Sequence, residues 1–162
     1  MHTNQPLLTL SGDIQADTFA RIGEDGAVPA GDVLLTVAQL DQLAQVTGKK
    51  GLLLTVNDSP ETTVLPLAEL ELIAIEFGSF ADGRGYSFAA LLRRQGFTGE
   101  LRAVGDVFKD VLFYLKRCGF NTFVLKEGKD IEVAKAGLND FSAGYQAATA
   151  TPDAHYQTGR QL

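Results

Sequence analysis

From Gly51 onward the chain alternates short apolar runs with amphipathic stretches, and this alternation limits the folds open to it. Leu52–Val56, Leu70–Phe77, Glu100–Val104 and Thr122–Lys126 read as strands. Between and after them lie a helix start at Ser59-Pro60-Glu61, a helix from Phe88 to about Gln95, another from Gly105-Asp106 through Arg117, and a last one capped by Asp130. Proline suits a first helical position, while Pro66 makes the first helix short or irregular. Ser87 is the expected N-cap of the second helix, and Gly119 closes the third. Strands alternating with helices every twenty to thirty residues imply right-handed crossovers and a mostly parallel sheet. At 162 residues the chain is too short for an eight-unit barrel, which needs about 200 or more. The expected architecture is therefore α/β, a four-strand βα array forming an open sandwich or a half-barrel.

The N-terminal part is simpler. Pro6–Leu10 and Asp17–Ile22 flank the turn Ser11-Gly12-Asp13 and predict a small strand ribbon covering a sheet edge. After Val33–Leu35, Thr36 is placed to cap a helix with Val37, Leu40, Leu43 and Val46 on its apolar side, ending near Gly48. One domain is expected: an N-terminal edge segment over 1–32, an α/β core over 33–143 and a flexible tail over 144–162.

Composition removes several function classes. A net charge of −6 argues against a nucleic-acid binder, which needs a basic footprint. Cys118 is the single cysteine, so neither an intramolecular disulfide nor a cysteine zinc site can be built. His2 and His155 lie near the two ends without partners at ligand spacing, so no metal site is expected. The first residues lack a basic, then apolar, leader pattern, and no run of about 18 apolar residues occurs. The expected location is the cytoplasm, with no membrane partner.

Three groups of residues carry possible chemistry. At the strand-to-helix turn Asp82-Gly83-Arg84-Gly85-Tyr86-Ser87, backbone N–H groups and the Arg84 fork suit an oxyanion, whereas a tight turn fixed by an Arg84–Asp82 pair needs no ligand. Arg102 and Asp106 end the next strand, and in a parallel sheet Asp106 emerges on the same edge as Asp82 and Arg84. There Asp106 is either part of an ionic site or simply a helix cap. On the helix from Val107 to Cys118, Val107, Phe108, Val111, Leu112, Leu115 and Cys118 form the core-facing side. Asp110, Phe113 and Arg117 form an outer stripe, suited either to a protein partner or to cover by the chain itself.

The motifs Phe80-Ala81-Asp82-Gly83-Arg84-Gly85-Tyr86-Ser87, Gly99-Glu100-Leu101-Arg102-Ala103-Val104-Gly105-Asp106 and Leu112-Phe113-Tyr114-Leu115-Lys116-Arg117-Cys118-Gly119-Phe120 resemble those of a bacterial family, domain of unknown function 934. The resemblance covers roughly Val33 to Gln146. Members are commonly encoded beside assimilatory sulfite reductase and are loosely labelled oxidoreductases, which implies a role in sulfite reduction or cysteine biosynthesis. The residues themselves speak against redox catalysis: there is no dinucleotide fingerprint, no cysteine set for an iron–sulfur cluster and no good haem ligand, so no cofactor is expected. Two expectations result. One is an accessory protein that contacts sulfite reductase or another pathway protein through Asp110, Phe113 and Arg117. The other is a small α/β enzyme or anion-binding module built on Asp82, Gly83, Arg84, Gly85, Ser87, Arg102 and Asp106. Self-association is a further expectation, because a short parallel sheet has edges to cover.

Overall fold

The computed structural model describes residues 5–79, 81–139 and 148–149, so most of the expected 144–162 tail lies outside the described residues. Eight strands form one sheet: β1 (Pro6–Thr9), β2 (Ile14–Ala16), β3 (Ala20–Arg21), β4 (Val33–Thr36), β5 (Lys50–Leu54), β6 (Leu72–Phe77), β7 (Glu100–Gly105) and β8 (Thr122–Val124). Their order across the sheet is β2-β1-β8-β7-β6-β5-β4-β3. β3 to β8 run parallel, while β1 pairs antiparallel with β8 and β2 with β1. The N-terminal hairpin thus covers the β8 edge, but its second strand is Ile14–Ala16 and not the expected Asp17–Ile22, of which Ala20–Arg21 pairs with β4 at the opposite edge. Thr9, Ser11 and Asp13 bond one another across that turn.

β2 and β3 occupy opposite edges of the sheet, yet only Asp17, Thr18 and Phe19 separate them. Four Cα steps span at most about 14 Å, whereas a flat eight-stranded sheet is about 34 Å across. The short link therefore demands a curled sheet, and the sheet is a half-barrel. Residues 17–19 cross its open side. Phe19 turns inward onto Leu34, Leu53, Leu72 and Ala74, a small inner core. Gly51 makes room for it, since a Cβ there would lie 3.0 Å from the Phe19 ring and 2.9 Å from Leu34.

The opposite face carries the main core. Val33, Leu35, Leu52, Leu54, Ile73, Ile75, Leu101, Ala103 and Phe123 alternate with the inner residues and meet the helices. α1 (Arg84–Arg94), α2 (Leu112–Cys118) and α3 (Ile131–Gly137) pack on this side. Asp130 caps α3 as expected, its carboxylate accepting from the N–H groups of Glu132 and Val133. In the core-facing set of the third helix, Val107, Leu112 and Leu115 are buried, and Val111 and Cys118 pack against the core.

Three local expectations are corrected and one is refined. The expected helix after Thr36 is present and is of the 3-10 kind, over Val37–Gln45. Its apolar positions recur every three residues, the period of the tighter helix. The stretch from Ser59 forms turns, and only Leu67–Glu69 makes a 3-10 turn. Pro66 and the run Thr62-Thr63-Val64 oppose helix there. α1 begins at Arg84, one turn before Ser87, because the Asp82 carboxylate accepts from the Arg84 N–H at 3.1 Å and starts the helix earlier. Asp106 does not open a helix: a 3-10 turn over Lys109–Val111 leads into α2.

Candidate functional site

The parallel strands end at Arg21, Thr36, Leu54, Phe77, Gly105 and Val124, and the loops beyond them share one edge of the sheet. That carboxyl edge is where parallel α/β sheets bind ligands. On the helix side, a groove of about 700 Å³ lies between α1 and the loop after β5. α1 contributes Arg84, Ser87, Phe88, Leu91 and Arg94 to it. These are positions on one helical flank, and ten residues of rise give the groove a length of about 15 Å. It exists because the β5-to-β6 crossover has no α-helix to lie beside α1. Val56, Phe88 and Leu91 give the groove its apolar lining, Ser59 and Ser87 add hydroxyls, and Val64 on the adjacent loop is 94% exposed.

The Asp82–Ser87 turn frames one end of this groove. Arg84 Nε donates to the Asp82 carboxylate at 3.0 Å, its Nη2 at 2.6 Å, and its Nη1 to the Val56 carbonyl at 2.9 Å. The side-chain bond from Arg84 holds the Asp82 carboxyl below its usual range, with the Arg84 backbone N–H adding to the effect. The guanidinium is stabilised reciprocally. Arg84 thus fixes its own turn and ties α1 to the end of β5. Gly85 is buried against Phe77, where a Cβ would come within 2.6 Å of the ring.

Arg102 lies on the other face of the sheet. It is 3% exposed, and its Nη1 meets Asp17 at 2.8 Å while Nε and Nη2 meet Glu100 at 3.0 and 2.9 Å. Glu100 also accepts from the Thr122 hydroxyl, and the Phe19 ring centroid is 5.4 Å from the guanidinium carbon. Asp106 pairs instead with Lys126 at 2.7 Å. The structure therefore joins Asp82 to Arg84, leaves Asp106 at the same carboxyl edge in the loop after β7 with Lys126 as its partner, and puts Arg102 on the other face. The alternation of Glu100 and Arg102 with Leu101 and Ala103 carries the signal that Arg102 faces away from the helices.

On α2 and its approach, Asp110 is exposed, whereas Phe113 and Arg117 are half-buried and engaged by other groups. The exposed aromatic is Tyr114, at 51%. Its ring stands 4.9 Å from Tyr86, which is 5.0 Å from Phe77. Burial pushes the Cys118 thiol up, although a hydrogen bond with Tyr114 partly opposes this.

Sequence reasoning passed over Asp17, Arg21 and Glu76. They share a second cavity with Arg102, of about 210 Å³, at the carboxyl edge of the inner face. Strand alternation places Glu76 there, but no local signal brings Asp17 to Arg102.

Among the described residues no group of three His, Cys, Asp or Glu side chains suits a metal ion, and no helix is long and apolar enough to cross a membrane. No curated protein matches the chain. A family model described as bacterial protein of unknown function (DUF934) matches residues 51–156, from β5 onward and well over half of the sequence. The chain therefore belongs to the DUF934 family of bacterial proteins.

Proposed function

We propose that the chain is a cytoplasmic accessory protein of assimilatory sulfite reduction or cysteine biosynthesis that acts by protein–protein contact, made along the open flank of α1. The observation that carries this reading is the groove itself, which has an apolar lining of Val56, Phe88 and Leu91. Its charged lining is balanced, with Arg84 and Arg94 from α1 and Asp58 and Glu61 from the loop after β5. An extended segment of a partner with an apolar centre and charges of both signs complements it. The pathway comes from the family resemblance. This surface is more available than the Asp110, Phe113 and Arg117 stripe, two members of which are already engaged within the chain.

A second reading, an anion-binding module, draws on the Ser59 and Ser87 hydroxyls and on Arg94 along the same groove. Calorimetric titration of the purified chain into assimilatory sulfite reductase separates the two. The contact reading requires saturable binding that Leu91→Asp abolishes while the melting temperature holds. The anion reading requires stabilisation by sulfite, sulfate or phosphate that Arg94→Ala removes. With neither result, the groove is only a gap in the helix layer.

A further inference from the structure

The inner-face cavity is separated from the α1 groove by the sheet, and its residues suit a different occupant. Glu76 stands one residue before the end of β6 and Gly105 closes β7, so the cavity opens at the carboxyl edge of the half-barrel. Gly105 has φ +90°, and a Cβ there would lie 2.4 Å from the Phe77 carbonyl oxygen. It thereby lets the end of β7 turn close against β6.

Glu76 is half-buried, and among the described residues no hydrogen bond or ion pair engages its carboxylate. A carboxylate withdrawn from water without donors is costly, so an occupant that displaces water must bring N–H groups to it. Arg21 of β3 and Arg102 of β7 line the same cavity, together with Gln5 and with Asp17, whose carboxylate pairs with Arg102. A guanidinium carries five N–H donors. Among the described residues three of those on Arg102 are engaged, one on each nitrogen, which leaves donor capacity on both Nη atoms. Leu34, Val104 and Val124 supply apolar wall. At about 210 Å³ the space falls below the roughly 300–1,000 Å³ of pockets for drug-sized ligands. The occupant is therefore small.

We propose that this cavity binds a small zwitterion, a molecule of amino-acid size, with its ammonium on Glu76 and its carboxylate toward Arg21 and Arg102. A protonated amine meets the acid, an oxyanion meets the cations, and a short aliphatic body fits between them. The occupant of the α1 groove has no bearing on this site.

The test is thermal unfolding of the full chain with glycine, L-alanine, L-serine and L-valine, using propionate and ethylamine as controls lacking one charge each. The expected result is a rise of about 5 °C or more at about 10 mM of at least one amino acid, and little with either control. Glu76→Gln should melt no lower than the parent without ligand, because no internal partner is lost, and should weaken the response at least tenfold. Leu91→Asp, in the other groove, should respond like the parent. The proposal is overturned if no amino acid raises the melting temperature, if propionate or ethylamine is as effective, or if Glu76→Gln alone melts several degrees lower.

Discussion

The Arg102 guanidinium and the Asp17 carboxylate, 85 positions apart, meet at 2.8 Å inside the curled sheet. Both side chains are nearly inaccessible, at 3% and 7%. The pair ties the crossing segment 17–19 to β7 and so holds the curl. Removing one partner of a buried pair generally costs about 3–5 kcal/mol, because the other charge is stranded. The two ends are unequal here: Arg102→Met strands Asp17 and Glu100 together, whereas Asp17→Leu leaves Arg102 with Glu100. Urea unfolding should place Arg102→Met below Asp17→Leu in stability, and equal losses would mean that Glu100 contributes little.

Gly105 and Gly83 form a contrasting pair near the carboxyl edge. Gly105→Ala meets both a left-handed backbone and the Phe77 carbonyl, so it should cost at least about 1–3 kcal/mol. Gly83 has φ −70°, and a Cβ there meets nothing within 4 Å. Gly83→Ala should be neutral or stabilise by up to about 1 kcal/mol. Paired melting curves check both directions.

Asp32 sets an acid limit. Its carboxylate accepts from the Lys49 N–H at 2.9 Å and the Thr18 hydroxyl at 2.9 Å, joining the crossing segment to the starts of β4 and β5. The Lys49 backbone bond chiefly lowers its pKa, against a smaller opposing effect of burial. A carboxylate depressed in the folded state stabilises above its unfolded pKa, and that contribution is lost as pH falls through the folded value. The loss should therefore fall below about pH 4. Asp32→Asn should flatten this part of a stability–pH curve, and an unchanged acid limb would contradict the assignment.

Cys118 should react slowly. Burial raises its thiol pKa, so less thiolate is present near pH 8 than for an unhindered cysteine. Iodoacetamide labelling in the native state should lag well behind labelling in urea. Comparable rates would show the α2 end to be open.

The parallel sheet was legible because each strand is a short apolar run closed by turn residues. Helix type was harder, although the three-residue spacing of Val37, Leu40, Leu43 and Val46 already marks a 3-10 helix. Asp82 resembles an ordinary loop acid, yet its acceptance from the Arg84 N–H moves the start of α1 forward by a turn. The Arg84–Asp82 pair was legible as one of two readings of the turn, whereas the Arg84 bond to the Val56 carbonyl spans 28 positions and was not. Asp17–Ile22 reads as one extended piece, and nothing local divides it into the crossing at Asp17–Phe19 and the two-residue strand β3, so neither the curl nor the inner cavity could be read from spacing. Arg102 was visible as a residue but not as the partner of Asp17.

The most direct measurement is calorimetric titration of the purified chain into assimilatory sulfite reductase, repeated with Leu91→Asp. The account requires saturable binding by the parent and none by the variant, with unchanged melting temperatures. Failure of the parent to bind, or equal binding by the variant, would contradict a contact made along α1.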